Sequence, residues 1–337
     1  MFELPYRLPT IINKRLKDPH VVIIGAGASK AACPTDKNGN TVPLLRDIHE
    51  VLGLTDKLKS YGFSESELSN FELLFSNINN KSEYGGLQKE LEDAVHNYFQ
   101  KLMIPDDVTL YDYLVLSLTD KDAIISFNWD PFLVQAYRRN IDVGNLPQLI
   151  FPHGNVGVGI CYDCKIKGYA NSLCNNCFKP FSDMPLLFPV GRKNYYDNSI
   201  IENEWNIAKN YLSRAAGVTI FGYSAPETDV EAYQLLKNSY QKSRITSIAP
   251  FTIINLAKNK QEQKAKWQEI YNDRMLQYTD DFRNTILWES PRVSLETLFD
   301  AILQQQPRHI EKSFKDFDTL EELQTFVKTI DEFDMAV

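Results

Sequence analysis

Five short apolar runs, each ending in a glycine-bearing or polar cluster, constrain this chain more than any other feature. His20-Val21-Val22-Ile23-Ile24 leads into Gly25-Ala26-Gly27-Ala28-Ser29, and Ala123-Ile124-Ile125-Ser126-Phe127 leads into Asn128-Trp129-Asp130. Leu149-Ile150-Phe151 leads into Pro152-His153-Gly154-Asn155, and Gly217-Val218-Thr219-Ile220-Phe221 into Gly222-Tyr223-Ser224-Ala225-Pro226. Phe251-Thr252-Ile253-Ile254 ends at Asn255. Near-continuous β-branched and apolar residues, without alternation, mark strands buried on both faces of a parallel sheet. The expected fold class is therefore α/β with an open parallel sheet. Ligands of such sheets sit beyond the carboxyl ends of the strands, so all five clusters would converge on one crevice.

A second pattern is chemically sharper. Cys161-x2-Cys164-x9-Cys174-x2-Cys177 follows His153-Gly154 closely and supplies four soft thiolates in two CxxC knuckles. One tetrahedral ion is what such a set holds, and Zn2+ is the expected occupant even though the spacer is shorter than the usual ~15–20 residues. Four thiolates leave no open position for water, so the site is expected to be structural. Cys33 is the fifth cysteine and leaves an odd count. Zinc thiolates are the expected use of cysteine in a reducing compartment.

At 337 residues, with 43% hydrophobic, 12% aromatic and 24% charged residues, the chain has room for about two domains with sizeable cores. No apolar run approaches the roughly 20 residues that span a bilayer, and Met1 to Pro9 carries no signal-peptide pattern. A cytoplasmic protein is expected, without membrane contact. The net charge of −8, from 36 basic and 44 acidic residues, disfavours direct nucleic-acid binding through phosphates. The mixed run from Lys258 to Lys266 reads as a solvated helix face.

Between the first two runs, Leu44 to Leu54, Glu65 to Asn77, Leu87 to Leu102 and Thr109 to Leu118 carry helix-spaced apolar residues. That is too much for one crossover helix and predicts a helical insertion over about 44–118. A zinc module over about 157–182 is a second insertion. After Asn255 the patterns are mainly helical, including Val293 to Gln304 and Thr319 to Phe333.

Taken singly, most of the clusters have plain structural explanations. Gly25-x-Gly27 after a strand suits a tight turn that admits phosphate, yet Lys30 stands where a full GxGxxG would carry its third glycine. Asn128-Trp129-Asp130 fits a strand-end turn. In this order, however, the motifs resemble those of the sirtuin superfamily. Its sequence of a GAG loop, an Asn-x-Asp triplet, a His-Gly, a four-cysteine module, a Gly-x-Ser loop and a strand ending in Asn is matched over about residues 20 to 257.

One departure narrows the resemblance. Protein-deacylating sirtuins follow the GAG loop with a Gly-Ile-Pro-Asp-Phe-Arg element that helps arrange nicotinamide and the acyl-lysine. This chain has Lys30-Ala31-Ala32-Cys33-Pro34-Thr35-Asp36-Lys37-Asn38-Gly39-Asn40-Thr41-Val42-Pro43-Leu44 instead. That stretch, Tyr111-Asp112-Tyr113-Leu114, and the run from Gly222 to Asp229 look like the bacterial SIR2-like group, many of which hydrolyse NAD in anti-phage defence.

The resemblance implies a Rossmann-like parallel sheet in an NAD-binding domain over 1–256, followed by a mainly helical region over 257–337. It implies NAD as substrate, with Gly25, Ala26, Gly27 and Ser29 at the pyrophosphate, Gly222 and Ser224 at the phosphate or adenosine side, and Asn255 at the adenosine ribose. Asn128 would orient a water or the nicotinamide ribose, Asp130 would order the pocket, and His153 would accept a proton. Cys161, Cys164, Cys174 and Cys177 would hold zinc. The implied activity is NAD+ hydrolysis to nicotinamide and ADP-ribose; a protein deacylase or ADP-ribosyltransferase, and a non-catalytic NAD-sensing module, are the alternatives. The region after Asn255 leaves room for a homo-oligomer contact or a partner such as an ATPase.

Overall fold

All five apolar runs are strands in a computed structural model of the chain, which describes residues 11–12, 15–188, 198–225, 230–240, 250–255, 265, 267–268, 276–303 and 313–335. A short antiparallel pair, β1 (Ile11–Ile12) and β2 (Arg15–Leu16), precedes them. The runs give β3 (His20–Ile24), β4 (Ala123–Ser126), β5 (Gln148–Ile150), β9 (Gly217–Phe221) and β10 (Phe251–Ile254). A sixth strand, β11 (Leu276–Thr279), joins the edge. It lies among the mainly helical patterns expected after Asn255. As an edge strand it is buried only at Thr279, so it lacks the continuous apolar character that exposed the other five.

The sheet runs β11-β10-β9-β3-β4-β5, with every neighbouring pair parallel. Chain order therefore proceeds outward from β3 to β5 on one side and from β9 to β11 on the other. The direction reverses between β3 and β9, and in open α/β sheets that switch point is where a crevice forms. β3, β4, β9 and β10 are buried along their whole length.

Seven helices fill the connection from β3 to β4: α1 (Ala26–Ala32), α2 (Ile48–Val51), α3 (Thr55–Ser60), α4 (Glu65–Leu68), α5 (Phe71–Asn79), α6 (Gly85–Gln100) and α7 (Leu110–Leu116). The apolar spacing sets the longer ones. Leu87, Leu91, Val95 and Phe99 recur every fourth residue and are the buried face of α6. The stretch expected to be one helix from Glu65 to Asn77 divides at Ser69-Asn70, because the Asn70 side chain accepts from Leu73 N–H and starts a new helix. The stretch from Leu44 is helical only over Ile48–Val51, since Asp47 Oδ1 accepts from Leu44 N–H at 2.6 Å and closes a turn first.

The second insertion is a small antiparallel sheet of β6 (Val158–Cys161), β7 (Ile166–Tyr169) and β8 (Ser182–Asp183), in the order β7-β6-β8. Among the described residues beyond α7, the helices are α8 (Phe132–Arg139), α9 (Ser199–Arg214), α10 (Val230–Tyr240), α11 (Ile286–Glu289), α12 (Ser294–Leu303) and α13 (Leu320–Met335). The run Lys258–Lys266 lies outside the described residues apart from Ala265, as does Pro226 to Asp229. No helix among the described residues is long and apolar enough to cross a membrane.

Candidate functional site

Two glycine turns meet at the switch point. Gly25 N–H donates to Phe221 O at 3.1 Å and Gly27 N–H to Gly222 O at 3.0 Å, which zips the start of α1 to the end of β9. A Cβ on Gly25 or on Gly27 would lie 2.8 Å from Gly222 O, and one on Gly222, whose φ is +60°, 2.1 Å from Ala28 N. Side chains are excluded by this backbone approach. The amides of Gly25 and Gly27 are thus already committed, and what these glycines contribute to a ligand is space.

A cavity of about 480 Å³ opens over these turns, within the ~300–1,000 Å³ range of small-molecule sites. Gly25, Ala26 and Gly27 line it from β3, Asn128 and Asp130 from β4, and His153 from the segment after β5. Gly222 and Ser224 line it from β9 and Asn255 from β10. Five separate strand ends therefore bring nine of the expected residues into one space. Ser29 is the exception. It is fully buried and does not line the cavity, because its hydroxyl is used beneath the floor.

Ser29 belongs to a buried network. Its Oγ donates to Asp130 Oδ2 at 2.6 Å and accepts from Asn128 Nδ2 at 2.9 Å. With the Ser29 proton committed to the carboxylate, the Tyr111 hydroxyl 2.7 Å away is the donor of their shared bond. Asn128 Nδ2 also donates to Gly25 O at 2.9 Å, an acceptor only, which fixes the amide orientation. The carbonyl oxygen Oδ1 is then what Asn128 offers toward the cavity. Asp130 Oδ1 accepts from Phe132 N–H, and burial raises its carboxyl from the ordinary 3.8 to about 6, against the lowering by its hydrogen bonds. Tyr111, raised well above 10 by burial, stays a neutral donor.

His153 is held through its surroundings. Its ring lies edge-on to Phe127 at 4.8 Å, and Phe127 stacks on Tyr223 at 4.6 Å. Its main-chain oxygen accepts from Leu187 N–H at 2.9 Å. Gly154 next to it has φ +76°, and a Cβ there would sit 2.0 Å from Pro185 O, so only glycine admits the segment returning after β8.

Sequence reasoning did not assign the cavity's other wall. Val42, Pro43, Leu44, Leu45, Arg46 and Ile48 line it, with Glu72 and Phe99 from the helical insertion and Leu187 from the exit of the zinc module. The first six lie in or just after the stretch that departs from the deacylase pattern. Lys30 Nζ donates to Val42 O and Tyr98 OH to Thr41 O, fastening that wall to α1 and α6. Trp129 is also in the lining, and its buried Nε1 has no hydrogen-bond partner among the described residues.

The cysteine quartet stands away from the cavity lining. All four Sγ atoms lie within 4.8 Å of one another, with Cys161 and Cys177 at 3.5 Å. A tetrahedral zinc with bonds of ~2.3 Å requires sulfur separations of about 3.8 Å, so the donor set fits the ion in both chemistry and span. Cys164 N–H points to Cys161 Sγ at 3.4 Å. Lys165 and Phe178, each just after the second cysteine of a knuckle, share a positive φ of 54° and 59°. Cys33 is buried elsewhere, and burial pushes its thiol up. From β7, Lys167 Nζ donates to Leu149 O and to both Glu204 oxygens, while Glu204 accepts from Phe151 N–H. The module is thereby tied to the backbone just before His153.

No protein-family model matches the chain, and no curated protein matches it. Among solved structures it is similar to a Sir2 homolog–NAD complex, at 13% identity over 77% of this chain and 82% of that one, with a TM-score of 0.40. It is also similar to Sir2 bound to acetylated peptide, at 15% identity over 85% and 93%, with a TM-score of 0.36. A structure described as the structural basis for sirtuin substrate affinity shares 16% identity over 85% and 93%, with a TM-score of 0.35. At these values the likenesses carry no conclusion about this chain's fold or activity.

Proposed function

We propose that this chain hydrolyses NAD+ at the nicotinamide glycosidic bond, giving nicotinamide and ADP-ribose. The observation that carries this reading is the convergence of Asn128, Asp130 and His153 with the Gly25–Gly27 and Gly222–Ser224 turns on one cavity at the switch point of a parallel sheet. The ordered resemblance to sirtuins supplies the substrate. Cleavage of this bond passes through an oxocarbenium-like state, and the leaving base departs neutral because it was cationic in the substrate. No general acid is then needed for departure; the site must place water at the anomeric carbon and accept its proton.

The glycine turns would admit the pyrophosphate, with Ala26 and Ser224 beside it and Asn255 at the adenosine ribose. Asn128 Oδ1 would accept a hydrogen bond from the attacking water or a ribose hydroxyl, held there by the two directed bonds of its amide. His153 would take the proton released when the oxygen–carbon bond forms. Asp130 orders the floor through Ser29 and Phe132 N–H. The stretch Lys30–Leu44, whose end opens the Val42–Ile48 wall, stands where deacylases carry the element that arranges acyl-lysine, which favours water as acceptor. Membership of the anti-phage NADase group, a cytoplasmic setting that keeps the thiolates reduced, and a second copy or an ATPase-type partner on the C-terminal helices belong to the same proposal.

Purified protein incubated with NAD alone tests it. Nicotinamide and ADP-ribose are expected to accumulate without peptide, and Asn128→Ala and His153→Ala are each expected to lower release at least about 100-fold. Turnover only with an acylated peptide would move the assignment to deacylation, and wild-type rates in both variants would remove these residues from the chemistry.

A further inference from the structure

We infer that Asn155 is a positioning residue that fixes the Asn128-Trp129-Asp130 triplet in register with His153. Nothing in the sequence marked it beyond its place two residues after the histidine. It is fully buried. Its Nδ2 donates to Asn128 O at 3.0 Å and to Asp130 O at 2.7 Å, while its Oδ1 accepts from Gly157 N–H at 2.8 Å. Trp129 O, between those two carbonyls, accepts from the neighbouring Val156 N–H at 3.0 Å. Three consecutive carbonyls of the triplet are therefore taken by two consecutive residues of the segment that carries His153.

This stitching has a purpose that core packing does not require. Asn128 and Asp130 leave β4, while His153 follows β5, the edge strand, so no sheet hydrogen bond joins the two loops beyond the paired strands. Asn155 bridges them with one rigid amide. These three hydrogen bonds cannot be imitated by another small side chain: the site needs two donors on one atom and an acceptor on the other. A carboxylate of the same shape would still accept from Gly157 N–H but would face two carbonyl oxygens without a proton to give.

The kinetic arm of the test rests on the proposed NAD hydrolysis; a spectroscopic arm does not. Asn155→Asp and Asn155→Ala are compared with Asp122→Ala, which removes a buried carboxylate that accepts from His20 N–H and Thr119 N–H at the opposite end of the sheet. For nicotinamide release from NAD, both Asn155 variants are expected to lower kcat about tenfold or more with KM within about twofold of wild type, since misplacement of reacting groups by about 1 Å is costly. Asp122→Ala is expected to keep kcat at a temperature where it is folded. In parallel, imidazole NMR of a protein with five histidines, assigned with His153→Ala, is expected to show displaced His153 resonances in the Asn155 variants and unchanged ones in Asp122→Ala. Unchanged kcat in the Asn155 variants, or an equal loss in Asp122→Ala, would overturn the inference. If wild type releases no nicotinamide, the proposed activity fails, and the His153 resonances decide this inference alone: displaced they uphold it, unmoved they end it.

Discussion

At the amino edge of the sheet, His20 places Nδ1 3.0 Å from Ser294 Oγ at the start of α12 and Nε2 2.9 Å from Thr219 Oγ1 on β9, and its main-chain N–H donates to Asp122. At the carboxyl edge of the same strands, Asn128, Asp130, Ser29 and Tyr111 form a network of similar composition, with His153 close by. The amino-edge groups bond one another and stop there. The carboxyl-edge groups are also buried, yet Asn128, Asp130 and His153 line a cavity. Burial and polar character alone thus fail to distinguish a structural cluster from a chemical one; access to a shared space does.

The zinc module is bonded to the segment that carries His153 at the carboxyl edge, and its loss is the largest effect expected. Cys161→Ser, or stripping of the metal, removes ligation energy from an insertion with little core of its own and loosens the segment after β8 that holds His153 through Leu187. Loss of bound zinc, a fall in melting temperature of about 10 °C and a parallel loss of NAD cleavage are expected. A zinc-free protein with unchanged melting and full turnover would show that the carboxyl edge is independent of the module.

The two edges also respond to acid with opposite sign. Burial lowers His20 from 6.5 to about 4, so the folded chain binds fewer protons there than the unfolded one, and stability falls as pH drops from 6.5 to 4. The size is on the order of 3 kcal/mol. Asp130 is raised from 3.8 to about 6, so its ionised form costs stability above pH 6, and that cost is relieved as pH drops toward 4. Its size is similar or slightly smaller, and in the wild type the two largely offset each other. His20→Gln should leave a protein whose denaturant midpoint improves on acidification from pH 6.5 to 4. Asp130→Asn should give the reverse, a midpoint that declines more steeply than wild type over the same range. Parallel pH profiles in both variants would break the contrast between the edges.

The strands and the metal knuckles were legible because each is a local pattern: continuous apolar residues for four buried strands and one edge, and two CxxC pairs for the ion. β11 was not, because an edge strand with one buried residue has no such signature. The floor of the cavity was visible as strand-end clusters. The Val42–Ile48 wall was not, since its start is fastened by Lys30, Tyr98 and the turn at Asp47, contacts that span up to 57 positions in the chain. The sequence places Ser29 at the pyrophosphate; in the structure it lies within α1, with its hydroxyl turned to Asp130 and away from the cavity. A hydroxyl's direction depends on which partner claims it, and Asp130 lies 101 positions away.

If the carboxyl-edge cavity is where NAD is cleaved, removing His153 must abolish cleavage while removing His20 must not. Nicotinamide release from NAD by wild type, His153→Ala and His20→Gln, each at a pH and temperature where it is folded, addresses this most directly. The predicted result is release by wild type, near-normal release by His20→Gln, and at least about a 100-fold loss in His153→Ala. Wild-type release by His153→Ala would contradict it.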